Sequence, residues 1–205
     1  MGKLIKMKVL IVGMRGLGVE TAKNLILAGP NSVTFYDPNP TEIRDLGANF
    51  YLNQQHVDSK TSRAAASLPQ LQELNPYVRV NTIDSLSIED HSNYSLVCYT
   101  ENFSGLSNLI AVNNFCRSKN IGFLLSETMG AAGYVFSDFG EKHIITDADG
   151  EQCRSFIVVS ISQEEEALVT VHEDKRHSYQ EGDFVKFVEV EGMTELNNAQ
   201  PFEIT

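Results

Sequence analysis

The residues with the clearest chemical potential lie in one turn, Gly13-Met14-Arg15-Gly16-Leu17-Gly18. It follows the apolar run Val9-Leu10-Ile11-Val12 and opens a helical pattern that extends through Ala28. A second apolar run, Val33-Thr34-Phe35-Tyr36, ends on Asp37. Strand, glycine turn, helix, strand and an acidic residue about 20 positions on form the arrangement that cradles a dinucleotide. Backbone N–H groups at the helix start face the pyrophosphate, and the carboxylate accepts from a ribose hydroxyl. The spacing departs from G-x-G-x-x-G at its second glycine, where the backbone must approach the pyrophosphate closely. Arg15 stands there, with a Cβ and a long side chain. Two readings follow. In one, Gly13, Gly16 and Gly18 frame a phosphate site and the Arg15 guanidinium reaches the anion. In the other, the glycines build a tight turn and let helix pack closely on sheet, while Asp37-Pro38-Asn39-Pro40 is turn chemistry at a strand end. The missing second glycine favours the structural reading for both the turn and Asp37.

Other chemistry is harder to assemble. His56, His91, His143, His172 and His177 show no metal-binding spacing such as H-x-x-x-H, and no metal site is expected. Cys98 lies in an apolar strand pattern and Cys116 in a helical one, both places for packing rather than for a nucleophile. Cys153 follows a turn with nothing nearby to depress its pKa, so no catalytic residue is expected in this chain. Three cysteines, widely spaced and odd in number, form neither a disulfide framework nor a metal pair. They point to a reducing compartment, cytoplasmic or nuclear.

The elements that would position the turn alternate over residues 1–142. Ser59–Leu74 reads as a helix, capped by Asp58 or Ser59, with Leu68, Leu71 and Leu74 on one face and Pro69 set to kink or split it. Val78–Ile83, Ser95–Thr100 and Ile121–Ser126 read as strands, with a helix over Leu106–Ser118. Strands separated by helices predict a mostly parallel sheet with helices on both faces. Near residue 133 the rhythm becomes all-β. Tyr134–Phe136, His143–Thr146, Phe156–Ile161, Ala167–Val171 and Phe184–Val190 alternate with turn-like clusters, Asp147–Gly150 among them. A small barrel or sandwich is expected there. The boundary falls between residues 138 and 146, giving domains of 1–142 and 143–205.

The 205 residues carry a net charge of −11, with 42% hydrophobic and 21% charged side chains. The charge is concentrated: residues 143–205 hold 14 acidic and 4 basic side chains, against 13 and 12 in residues 1–142. An acidic half argues against a nucleic-acid partner, and fits a basic protein surface or plain solubility. No stretch approaches the roughly 20 apolar residues of a membrane-spanning helix. The last β segment ends on Phe202-Glu203-Ile204-Thr205 without a closing turn, so we expect a piece of a larger polypeptide.

The run from Gly13 to Gly29 resembles the first, inactive adenylation repeat of ubiquitin-activating enzymes, as do Ala48–Leu52, Leu74–Tyr77 and Asp138–Glu141. Thr146–Glu151, Gly182–Val185 and Glu189–Asn197 resemble the first catalytic-cysteine half-domain of the same enzymes. The small subunit of the SUMO-activating enzyme shares the glycine turn but not this second block. The resemblance implies a ThiF/MoeB-type Rossmann-like domain followed by a small barrel-like β domain that is incomplete at its C-terminus. It implies a parent enzyme that adenylates the C-terminus of ubiquitin with MgATP, captures the acyl group on a cysteine and passes it to a conjugating enzyme. Two adenylation repeats pack as a pseudo-dimer in that family, and only the second binds ATP. Active repeats carry an Asn-x-x-Arg-Gln motif; the matching stretch here is Asp45-Leu46-Gly47-Ala48-Asn49, with Ala48 in place of the arginine. A Ser-Arg-Gln segment that precedes the first strand in the family is absent. The implied role is a scaffold that binds no cofactor itself, braces the active repeat and helps frame ubiquitin. Gly13, Arg15, Gly16, Gly18 and Asp37 would then be a degenerate nucleotide turn. The thioester cysteine, the active repeat and the ubiquitin-fold domain would lie beyond Thr205. The alternatives are a self-contained NAD- or ATP-binding enzyme, or the activating enzyme of another ubiquitin-like modifier.

Overall fold

In the computed structural model of the chain, residues 2–145, 150, 153–172 and 176–205 are described. Contacts divide it into two units, residues 1–145 and 146–205. The first holds a six-stranded sheet in the order β3-β2-β1-β4-β5-β6. Its strands are β1 (Lys8–Val12), β2 (Ser32–Tyr36), β3 (Arg79–Thr82), β4 (Leu96–Tyr99), β5 (Gly122–Met129) and β6 (Ala132–Asp138). The first five run parallel, and β6 pairs antiparallel with β5. The helices are α1 (Gly16–Ala28), α2 (Gln54–Asp58), α3 (Arg63–Glu73) and α4 (Leu106–Ser118).

The unbroken apolar run of β1 is what a central parallel strand requires, since both of its faces are covered. Val9 and Ile11 enter one core with Val19, Ala22 and Ile26 of α1 and Leu71 of α3. Leu10 and Val12 enter a second core with Leu109, Val112 and Cys116 of α4. Helix α1 ends where Gly29 takes φ +85°, and its N–H returns to the Ile26 carbonyl.

Four expectations are corrected. The helix expected over 59–74 starts at Arg63, because Ser62 caps it by accepting from the Ala65 N–H at 3.2 Å; residues 54–58 form the separate α2. Of the kink or split expected at Pro69, the split does not occur: α3 runs through it from Arg63 to Glu73. Buried Leu71 and a two-way link between Gln72 and the backbone of Val78 and Val80 hold the turn that follows it. Tyr134–Phe136 belongs to β6, the antiparallel edge of the first sheet, and not to a separate β layer. In the second unit the strands contract to β7 (Val158–Ile161), β8 (Val169–Val171), β9 (Phe184–Val185) and β10 (Phe202–Glu203). They form two separate antiparallel pairs, β7–β8 and β9–β10, consistent with the small β domain expected after the Rossmann-like sheet. Residues 143–145 carry no strand; Thr146 and most of the Asp147–Gly150 turn lie outside the described residues, as does most of Thr146–Glu151. Among the described residues, no helix is long and apolar enough to cross a membrane.

One buried histidine makes the first unit sensitive to acid. His91 is 1% exposed. Its Nδ1 lies 3.0 and 3.1 Å from the carbonyl oxygens of Ser87 and Ile88, which assigns the ring proton to that nitrogen, and Nε2 accepts from the Tyr99 hydroxyl at 2.9 Å. Burial lowers the pKa below the ordinary 6.5, outweighing the two carbonyls and Asp90, which raise it. The unfolded chain therefore binds this proton more readily than the folded one. The stabilisation is complete above the ordinary value and is lost as pH falls below it. In urea unfolding between about pH 7 and pH 5, the wild type is expected to lose stability more steeply than His91→Gln. Equal slopes would remove His91 as the cause.

Candidate functional site

The glycine turn is held from three sides. The Gly13 N–H donates to the Tyr36 carbonyl at 2.9 Å, and the Thr100 hydroxyl donates to the Gly13 carbonyl at 2.9 Å. Gly13 has φ +96°, and a Cβ there would fall 2.7 Å from the Cβ of Glu101. A Cβ on Gly18 would fall 2.0 Å from the Gly13 carbonyl oxygen, so this residue sets how closely α1 approaches the turn. A Cβ on Gly16 would fall 2.9 Å from the Cβ of Ala48. The residue standing in place of the motif arginine thus packs directly on the turn. Asn49 locks that loop down, its amide donating to the Met14 carbonyl at 3.2 Å and to the Ser67 hydroxyl at 3.1 Å.

Asp37 sits at the end of β2 and is 3% exposed. Its Oδ2 accepts from the Met14 N–H at 2.8 Å and its Oδ1 from the Asn39 N–H at 3.0 Å. The same two oxygens take a fork from Arg63: Nε donates to Oδ2 at 2.7 Å and Nη2 to Oδ1 at 3.0 Å. Arg63 is the first residue of α3 and is fully buried. Its Nη2 also donates to Glu101 Oε2 at 3.1 Å, and its Nη1 lies 3.6 Å from Asp45 Oδ2. Arg15 closes the outer side. Its Nε approaches Glu101 Oε1 at 3.2 Å and Asp45 Oδ1 at 3.6 Å, as ion pairs without the alignment of hydrogen bonds. Two arginines and three carboxylates therefore meet where the strands of the sheet end.

Desolvation alone would lower the pKa of Arg63, but the hydrogen bond and charge of Asp37, then Glu101 and Asp45, hold it above its ordinary value. Glu101 is pushed up from the usual carboxylate range, first by desolvation and then by Asp37 and Asp45, against the pull of Arg63 and Arg15. The cluster is net negative by one charge when all five groups are ionised. These residues do not fit a nucleotide. The carboxylate that would receive a ribose is saturated by Arg63 and two backbone N–H groups. Ala48 covers the glycine turn, and a polyphosphate would meet an excess of negative charge.

The structure thus brings together all five residues of the sequence-predicted turn, Gly13, Arg15, Gly16, Gly18 and Asp37. Sequence reasoning missed Arg63, Glu101 and the ionic role of Asp45. One signal was available for Arg63: it falls on the same helix face as Ala64, Ser67 and Leu71, all buried, where an arginine needs a partner. The thiols expected to be packing residues are buried, and burial pushes Cys98 up to about 12 and Cys116 up to about 11; Cys153 is exposed. Among the described residues, no group of three or more His, Cys, Asp or Glu side chains is placed to hold a metal ion.

Comparison with known proteins places this architecture. Residues 1–155 match the model of the ThiF family. The chain belongs to the ThiF family. Residues 164–205 match a second model, the ubiquitin-activating enzyme E1 FCCH domain. The chain is 42% identical over 205 residues to ubiquitin-like modifier-activating enzyme 1 of Oryctolagus cuniculus, covering 100% of this chain and 19% of that protein. It is 40% identical over 204 residues to ubiquitin-activating enzyme E1 1 of Schizosaccharomyces pombe, covering 100% of this chain and 20% of that protein. The Homo sapiens ubiquitin-like modifier-activating enzyme 1 is 40% identical over 205 residues, with 100% and 19% covered. The chain thus spans about a fifth of the length of the curated relatives it matches. A ThiF-type sheet followed by a small antiparallel β region is the fold that the resemblance implied.

Proposed function

We propose that this chain is the N-terminal part of a ubiquitin-activating enzyme, and that it serves as the non-catalytic scaffold of that enzyme. Residues 1–142 are its inactive adenylation repeat and residues 143–205 begin its first catalytic-cysteine half-domain. The parent uses MgATP to adenylate the C-terminus of ubiquitin, forms a thioester and passes ubiquitin to conjugating enzymes in the cytoplasm and nucleus. The observation that carries the scaffold role is the Arg63–Asp37 fork. It satisfies, from within the chain, the carboxylate that an active repeat would offer to its nucleotide.

A scaffold also needs a face for its partner repeat. Strand β6 ends the sheet with Val135 73% exposed and Tyr134 and Phe136 half exposed, and Leu106 and Ile110 of α4 are exposed as well. An apolar sheet edge of this kind marks an interaction surface and supports pseudo-dimer packing on the active repeat. The acidic second unit supports a basic partner such as a face of ubiquitin.

Two measurements test this reading. Titration calorimetry of the full chain with MgATP, with and without ubiquitin, is expected to give no binding heat, and pyrophosphate exchange is expected to be absent. Micromolar MgATP affinity would overturn the scaffold role. A chimera that carries this chain in place of the matching fifth of the S. pombe enzyme is expected to form a ubiquitin thioester. A folded chimera that fails to do so counts against the family role itself.

A further inference from the structure

The charged groups of the ion cluster are not held alike. Asp37 accepts from the N–H groups of Met14 and Asn39 and from both Nε and Nη2 of Arg63. Asp45 accepts from the Glu42 N–H at 2.9 Å, and its side chain is 2% exposed. Glu101 has no backbone donor among the described residues. Its aligned partner is Arg63 Nη2, 3.1 Å from Oε2 and 3.5 Å from Oε1. It is also the carboxylate nearest water, with a side chain 16% exposed against 0% for Asp37. The arginines differ in the same way. Arg63 is fully buried, whereas the Arg15 side chain is 41% exposed. Arg15 Nε lies 3.2 Å from Glu101 Oε1 and 3.6 Å from Asp45 Oδ1, aligned with neither.

With every group ionised, the cluster carries one negative charge in excess, and Asp37, Asp45 and Arg63 are buried. Excess charge in a buried and partly satisfied network is unfavourable. One proton removes it. Asp37 and Asp45 would each have to give up bonds from N–H groups fixed by the backbone, so the proton goes to Glu101. The groups that face Glu101 are Arg15 at the start of α1, Arg63 of α3, Asp37 at the end of β2 and Asp45 in the loop after β2. A proton on Oε1 turns that oxygen from an acceptor into a donor, set against the Nε–H of Arg15. Arg15 then keeps only Asp45 at 3.6 Å, a partly exposed pair of the sort that fixes a side chain poorly. Arg63 keeps its fork on Asp37 and its bond to Oε2.

We propose that the cluster is a proton-operated latch: a proton taken from water by Glu101 frees the Arg15 side chain into solvent, while Arg63 stays clamped on Asp37. The moving part is one side chain. The backbone of the turn remains held by the Tyr36 carbonyl and the Thr100 hydroxyl. What changes is the charge at the mouth of the glycine turn, from a paired guanidinium to an unpaired one. The latch stands on the geometry of the cluster and not on the parent's chemistry. Protonation of Glu101 and docking of Arg15 oppose each other, and by linkage each weakens the other by the same factor.

The test is side-chain NMR of the isotope-labelled full chain, titrated from about pH 8 to pH 4. The Glu101 carboxyl is expected to titrate with a midpoint above the ordinary 4.5, because desolvation, Asp37 and Asp45 outweigh Arg63 and Arg15. The order parameter of the Arg15 Nε–H is expected to fall with the same midpoint, from near the rigid value of about 0.85 to below about 0.6. That of Arg63 is expected to stay constant. Glu101→Gln, uncharged at any pH, is expected to hold Arg15 below about 0.6 already at neutral pH. Arg15→Ala alters a partly exposed side chain outside the core, and is expected to tighten the proton on Glu101 at least about threefold. Any one of the following overturns the proposal: a Glu101 that stays ionised down to 4.5 or until the chain unfolds, an Arg15 that stays rigid or loosens together with Arg63, a folded Glu101→Gln with Arg15 rigid, or an Arg15→Ala in which Glu101 titrates as in the wild type.

Discussion

Replacing Arg63 with alanine is expected to cost about 3–5 kcal/mol of stability, the range found when one member of a buried ion pair is removed. That is a large share of the roughly 5–15 kcal/mol that holds a typical domain together. The loss comes less from missing attraction than from what remains. Asp37 keeps two backbone N–H groups but loses the fork at 2.7 and 3.0 Å, and Glu101 loses its contact at 3.1 Å. Three carboxylates would then face each other with Arg15 alone among them. Arg63→Lys keeps the charge but cannot present two parallel donors to Asp37, so an intermediate loss is expected. The vacated space has the shape and charge of a guanidinium. About 10 mM guanidinium chloride is expected to raise the melting temperature of Arg63→Ala but not of the wild type, with sodium chloride at equal ionic strength as control. At that concentration its denaturing action is below about 0.1 kcal/mol. Thermal unfolding of the three proteins settles the point: an Arg63→Ala that melts with the wild type would mean that the cluster contributes nothing to folding.

The cluster also explains which parts of this molecule were legible in its sequence. The parallel sheet was, because Val9–Val12 and Leu96–Tyr99 carry the unbroken apolar signal of a strand buried on both faces, and Val33–Tyr36 departs from it only at Thr34. The start of α3 was not. The pattern through Leu68, Leu71 and Leu74 gives a helix its face but not its first residue, and the cap read at Asp58 or Ser59 gives way to Ser62, which the tertiary pairing with Pro40 holds in extended backbone. The second unit was least legible. Short apolar runs such as Phe184–Val190 read as strands, but only the parts that find a partner strand become one, and here the ladder stops at Val185.

For the site, the glycines and Asp37 could be read because their spacing is local. The partners could not. Arg63 lies 26 positions from Asp37 and 38 from Glu101, and Asn49 lies 35 from Met14. Ala48 shows the limit from the other direction. Its sequence meaning was a lost guanidinium, whereas its structural meaning is a methyl group seated on Gly16. A missing side chain is visible in a sequence; what fills its place is visible only in the fold.

Alanine at Gly18 is expected to be the most damaging single-methyl change in the turn. The added carbon would fall 2.0 Å from the Gly13 carbonyl oxygen and 2.8 Å from the Thr100 hydroxyl. The first is backbone, fixed by β1, and the second is held by its bonds to Val12 and Gly13, so neither can swing aside. Relief requires the start of α1 to lift from the sheet, which exposes Val19 and Ala22, both fully buried. Overpacking costs typically about 1–3 kcal/mol when a core can adjust, and this contact lies at or above the top of that range. A loss of about 3 kcal/mol lowers the melting temperature of a chain of this size by roughly 6–12 °C. Gly47→Ala is the matched control: it has nothing within 4 Å and does not require a positive φ, so it is expected to be neutral or stabilising by up to about 1 kcal/mol. Comparable melting of Gly18→Ala and Gly47→Ala would show that close helix–sheet approach is not what Gly18 provides. The expected contrast separates the two uses of a glycine-rich turn. Gly18 sets the helix-to-sheet distance whether or not a phosphate is ever bound. A turn can therefore keep its glycines for the fold after Arg15, Ala48 and Arg63 have taken the space where a ligand would sit.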